Sequence, residues 1–158
     1  MADWPAAPFA RYRTTVRAEW IDYNGHLHDA GYAIVLSEAN EVLFAALGLS
    51  ADYRASTGRA MFTVESHIRY LAESRLGDDL AAATLLVSAD RKRMRLHTEL
   101  TRADGARIAT GEHLYLHVDT AAGAVTELPS DRWSAVRVLA LAHACLPRPP
   151  HLGRGVMA

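Results

Sequence analysis

The longest apolar pattern in the chain covers residues 29–47, DAGYAIVLSEANEVLFAAL. Tyr32, Ala33, Ile34, Val35, Leu36, Ala39, Val42, Leu43, Phe44, Ala46 and Leu47 occupy most of a helical circumference, leaving Ser37, Glu38, Asn40 and Glu41 as one narrow polar stripe. Such a helix must be largely buried, with its stripe reaching water or a partner. Asp29 reads as a cap or first-turn residue, and Gly48 as a stop, because glycine accepts the left-handed conformation. A short strand is predicted ahead of the helix at 12–19. After it, LSADYRASTGR reads as a loop, and the apolar period then drops from 3.6 to two.

Across 62–71, Phe62, Val64, Ser66, Ile68 and Tyr70 form one mainly apolar face, and Thr63, Glu65, His67 and Arg69 form the other. That pattern predicts a half-buried strand with a polar, chemically loaded outer side. Further strands are predicted at 79–88, 92–101 and 107–118, separated by turns at 89–91 and 103–105. In the second turn Asp104-Gly105 is a strong hairpin signal. A last hairpin at 120–123 leads to 124–128, and a second, more surface-like helix is expected at 130–144. The Pro-rich tail beyond it receives no assignment. One antiparallel sheet wrapped around one long helix, an α+β arrangement, is the simplest packing of this order.

With 158 residues there is room for a single compact domain. Its core is expected within 1–128, with 129–158 as a helix and tail on the same domain. Lys+Arg 17 against Asp+Glu 18 gives a net charge of -1, which argues against a nucleic-acid partner. No apolar run approaches the ~20 residues of a membrane span, and the N-terminal residues lack a secretory apolar stretch. The single cysteine, Cys145, cannot pair within the chain, so a reducing, cytoplasmic setting is expected.

The chemistry concentrates just before the long helix, in Glu19-Trp20-Ile21-Asp22-Tyr23-Asn24-Gly25-His26-Leu27-His28-Asp29. A carboxylate here can serve acid/base or nucleophilic work, and free N–H groups at a helix start can stabilise an oxyanion. Asp22 is the candidate carboxylate and the N–H groups of His28 and Asp29 are the candidate donors. Gly25 permits a tight turn. Asp, Asn and Gly together also occur in ordinary Asx turns, which is the competing reading of Asp22. His26 either orients Asp22, contacts substrate or is satisfied by local backbone. Asn24 either positions a water or eases the turn. Glu65 and His67, two apart on one strand face, either meet this loop or the substrate, or are solvated.

Eight histidines raise the question of a metal. His113 and His117 have the spacing of a helical zinc pair, but on a strand four residues separate them by about 13 Å. His26 and His28 lack an obvious third ligand, so neither a metal nor a cofactor is expected.

The blocks EWIDYNGHLHDAGY, FTVESHIRYLAESRLGD and LHVDTAAG, the first carrying Asp22-x-x-Gly25-His26, resemble hotdog-fold acyl-CoA thioesterases of the 4-hydroxybenzoyl-CoA type. Within them they are most similar to the betainyl-CoA thioesterase group of carnitine breakdown. Leu27-His28 and Gly31 depart from that group's usual residues. The resemblance implies a hotdog fold, thioester hydrolysis with Asp22 as the catalytic carboxylate, an acyl-CoA substrate, and a homodimer or dimer of dimers with sites between subunits. A quaternary ammonium acyl group would be recognised by aromatic faces and carboxylates. Trp20, Tyr23 and Tyr32 are the candidate aromatics, and Asp29 or Glu65 the candidate charge. Tyr32 also reads as core packing. Phosphates of CoA need cations, for which Arg69, Lys92, Arg93 and Arg95 are available. A non-catalytic module that binds an acyl-CoA or a hydrophobic effector is the alternative from another class.

Overall fold

The computed structural model describes residues 7–153. In chain order the elements are β1 (Phe9–Thr15), one turn of 3-10 helix (Ala18–Trp20), α1 (Asp29–Ala46), α2 (Ala51–Thr57), β2 (Arg59–Tyr70), β3 (Asp79–Ala89), β4 (Arg93–Arg102), β5 (Arg107–Asp119), β6 (Ala124–Val125) and α3 (Ser130–His143). The strands form one antiparallel sheet in the order β1-β3-β4-β5-β2, and β6 pairs with the end of β5. The sheet curls around α1, which is the expected α+β hotdog arrangement. The first and last residues on which the secretory and tail readings partly rest lie outside the described segment.

Two predicted elements move. The first strand covers Phe9–Thr15 rather than 12–19, because the chain tightens into the 3-10 turn ending at Trp20. The predicted loop after Gly48 contains α2, anchored by Tyr53, whose buried hydroxyl lies 3.0 Å from His117 Nε2 on β5. That anchor is a tertiary contact and leaves no local periodicity to read.

The strand at 62–71 is corrected in a more consequential way. β2 begins at Arg59, and its register against β5 slips between Thr63 and Glu65. A bulge of one residue reverses which side chains face inward. Met61 packs on the core before it and Ile68 after it, so no single alternating face exists. Phe62 and Val64, expected on the buried face, are exposed. Only one long side of β2 is paired, and the other is an open sheet edge.

α1 buries Tyr32, Val35, Leu36, Ala39, Leu43 and Phe44 against the sheet. Its predicted polar stripe divides. Ser37 and Glu41 are exposed, Glu38 accepts from the Tyr12 hydroxyl, and Asn40 is 0% exposed. Asn40 Nδ2 donates to Tyr115 Oη at 2.9 Å, and its Oδ1 accepts from Thr98 Oγ1 at 2.9 Å. Thr98 reaches Thr84 at 3.0 Å. Each polar group has a partner, as burial requires. This band separates two apolar clusters, one around Leu43, Phe44, Met94 and Leu139, the other around Trp20, Leu36, Leu100 and Ile108.

Gly111 sits where β5 packs closely on α1 in the second cluster. A Cβ there would lie 2.7 Å from His113 Cε1 and 2.8 Å from Leu36 Cδ1. Gly111→Ala is therefore expected to cost ~1–2 kcal/mol by overpacking and to lower the thermal midpoint by roughly 2–8 °C. An unchanged melting curve would show that the strand and α1 separate freely.

α3 adds Val136 and Leu139 to the first cluster, and His143 Nδ1 accepts the Leu86 N–H at 2.8 Å. From there the chain reaches the outer face of the sheet, where Gly153 N–H donates to Glu112 at 2.9 Å. No single helix among the described residues is long and apolar enough to cross a membrane.

Candidate active site

The segment between β1 and α1 is a miniature hairpin closed by an Ile21–Leu27 bridge. Asp22 N–H donates to the His26 carbonyl at 2.9 Å, and Gly25 N–H donates to the Asp22 carbonyl at 3.0 Å. Gly25 has φ +79°, a conformation other residues adopt only with strain. The Asp22 carboxylate folds back over this turn. Its Oδ1 accepts from Asn24 N–H at 2.8 Å and His26 N–H at 3.4 Å, and its Oδ2 accepts from Asn24 Nδ2 at 3.2 Å. The Asx-turn reading and the catalytic reading thus describe one geometry: the turn presents a solvent-accessible carboxylate in a fixed position. Loss of water pushes its pKa up, but the hydrogen bonds from Asn24 and His26, aided by the His26 ring, outweigh that and hold it below the usual carboxylate value.

Two backbone bonds fix the hairpin to the domain: Leu27 N–H to Ser74 O at 2.7 Å and His28 N–H to Trp20 O at 2.9 Å. The second corrects the expected oxyanion pair, since the His28 N–H is already engaged. His28 caps α1, its Nδ1 accepting from Gly31 N–H at 2.9 Å, and the Asp29 carboxylate takes the Ala30 N–H at 2.9 Å. Asp29 N–H is left as the first-turn donor without a protein partner among the described residues. It lies at the positive end of the α1 dipole.

The structure brings Asp22, Asn24, Gly25, His26, His28 and Asp29 together and distributes the other candidates elsewhere. Trp20 is 5% exposed, packs in the second cluster and lies under the Arg17 guanidinium. Tyr23 is 97% exposed and turns away from the fold. Tyr32 is 4% exposed, with its hydroxyl donating to Ala72 O at 2.9 Å, which fits the core reading. Glu65 and His67 lie along β2, about 17 and 10 Å by strand rise from Tyr70 at its end. They are not joined to the hairpin within one chain. Arg95 pairs with Glu112 on the outer face, beneath Gly153, and Arg93 pairs with Asp90. Arg69 is partly buried, and its Nη1 has no hydrogen-bond partner among the described residues.

Two residues escaped the sequence reading. Glu73 Oε2 lies 3.0 Å from His26 Nε2, and the Tyr70 ring meets Tyr32 edge-on at 5.3 Å. With Asp29, Leu27 and Leu71 they wall a shallow pocket of about 290 Å³ beside the helix start. Tyr70 was visible only as the last apolar position of a strand. Glu73 had no local signal, because its approach depends on the Leu27–Ser74 bond across the chain.

Comparison with known proteins agrees with the fold. A family model described as Thioesterase-like superfamily matches residues 16–140. The chain is 42% identical over 151 residues to the L-carnitine dehydrogenase/betainyl-CoA thioesterase of Agrobacterium fabrum, covering 96% of this chain but only 31% of that longer protein. It is 38% identical to the betainyl-CoA thioesterase of Pseudomonas aeruginosa, covering 90% of this chain and 91% of that one. Among solved structures, a hypothetical protein from Staphylococcus aureus in complex with CoA superimposes with a TM-score of 0.89 at 27% identity, over 97% of this chain and 98% of that one. A putative thioesterase from Pseudomonas putida does so at 0.83 and 32%, with the same coverage. The chain belongs to the Thioesterase-like superfamily and is by family a thioester hydrolase of hotdog fold.

Proposed function

We propose that the chain hydrolyses a small acyl-CoA to the free acid and CoA, with betainyl-CoA as its preferred substrate. The observation that carries this reading is the Asp22 carboxylate, fixed on the exposed turn that leads into α1, whose first residue, Asp29, has an N–H without a partner among the described residues. Asp22 acts on the thioester carbonyl as a general base toward water or as the nucleophile, and Asp29 N–H receives the oxyanion. Asn24 and His26 hold the carboxylate in place. The acyl group is taken from the two relatives, both named for betainyl-CoA, one of them joined to an L-carnitine dehydrogenase.

Arg69, a half-buried cation on β2, is the proposed partner for a CoA phosphate. A homodimer completes the site. The open edge of β2, with Phe62 and Val64 exposed beside it, suits a second copy of the same strand. Cys145 is a free, exposed thiol, which fits a reducing cytoplasm.

The test is release of free thiol from a panel of betainyl-, short aliphatic and aromatic acyl-CoAs. Betainyl-CoA is expected to give the highest kcat/KM. If no ester releases thiol while acyl-CoAs still bind, the chain is a binding module and the proposal fails.

A further inference from the structure

The pocket beside the helix start offers a way to read the acyl group, and it differs from the aromatic set drawn from sequence. Of that set, Trp20 is buried beneath Arg17 and Tyr23 points into solvent. The pocket instead has the half-exposed Tyr70 ring set against Tyr32, with Glu73 on one wall and Asp29 on another. Leu27, Leu71 and Ala72 supply its apolar walls, and the His26 ring, paired with Glu73, completes the lining.

Resting on the hydrolase reading above, we propose that Tyr70 and Glu73 determine acyl specificity by holding a trimethylammonium group directly beside the oxyanion donor. A quaternary ammonium has no N–H to donate, so only aromatic faces and a nearby negative charge can recognise it. In a betainyl ester the cationic nitrogen is one methylene from the thioester carbonyl. That N–C–C skeleton matches a backbone residue, so nitrogen and carbonyl carbon are only ~2.5 Å apart. The cation must therefore sit next to whatever binds the oxyanion. Asp29 satisfies this constraint with one residue, since its N–H is the free donor and its side chain lines the pocket.

The local field has the required sign. Burial raises the Tyr70 phenol pKa, and the Asp29 carboxylate raises it further. Glu73 adds to the rise that burial causes at Tyr32. His26 holds the Glu73 carboxylate at the pocket wall. Arg102, whose charge opposes the rise at Tyr32, is engaged by Asp104 at 2.6 Å and by the Glu73 carbonyl at 2.7 Å.

The deciding probe is 3,3-dimethylbutanoyl-CoA, a neutral isostere in which carbon replaces the ammonium nitrogen. The readout is the ratio of kcat/KM for betainyl-CoA to that for the isostere. Wild type is expected to favour betainyl-CoA at least ~10-fold. Tyr70→Leu and Glu73→Gln are each expected to lower that ratio by ~10-fold, whereas Tyr70→Phe, which keeps the ring face, retains it. Equal loss on both esters would make these residues merely structural and overturn the proposal. Wild type that cleaves both esters equally well also overturns it, yet leaves hydrolysis standing. Wild type that cleaves neither removes both readings.

Discussion

Asp22→Asn is expected to lower thioester turnover by at least ~10²-fold while leaving KM within a few-fold of wild type. The substitution is clean because of how the turn is built. Asparagine keeps an oxygen able to accept the Asn24 and His26 N–H groups, so the Asx turn survives; what is lost is the anionic charge and the weaker acceptor for Asn24 Nδ2. Asp22→Ala removes the turn as well and would confuse the two effects. Steady-state thiol release on the best ester, with circular dichroism to confirm the fold, decides the matter; an unchanged kcat would remove Asp22 from the chemistry. Because its hydrogen bonds hold Asp22 below the ordinary carboxylate range, its protonation cannot limit the rate between pH 5 and 8.

Loss of activity in acid should come from unfolding instead, which is the second large effect. His113 is buried on β5, its Nδ1 has no hydrogen-bond partner among the described residues, and burial pushes its pKa from 6.5 down to about 4. The folded state thus binds this proton less readily than the unfolded chain. Its contribution is fully present above pH 6.5 and is lost as pH falls toward about 4. His113 alone is worth roughly 2–3 kcal/mol between pH 7.5 and 4.5. Burial also lowers His97 and His117, in the same direction. Urea midpoints should fall steeply across that window, and His113→Leu, which deletes the titrating ring, should flatten the fall. Equal midpoints at pH 7.5 and 4.5 in wild type would refute the assignment.

The two kinds of residue differ in how far the sequence alone reveals them. α1 was legible almost to the residue, because apolar positions on most of a helical circumference and a following glycine are local signals. The strands after it were legible from period two and from Asp104-Gly105. The bulge in β2 was not, since it exists only in the pairing with β5. Asn40 looked like part of a solvated stripe, and only Thr98 and Tyr115, far along the chain, make it a core residue. At the site, Asp22, Asn24, Gly25 and His26 are contiguous and carried a motif. The donor N–H was narrowed to Asp29 by a bond to Trp20 that no local pattern encodes.

The Asx turn has a further consequence, for evolution. Every hydrogen bond that aims the Asp22 carboxylate comes from within residues 22–26, whereas one wall of the pocket at the helix start is supplied by residues 70–73, on another stretch of chain. On the proposed function, changes at Tyr70 or Leu71 would reshape what the pocket accepts without touching the turn, whereas Glu73 reaches the turn through His26. On that reading, one lineage could diversify its diet of acyl groups through Tyr70 and Leu71 while inheriting its chemistry intact.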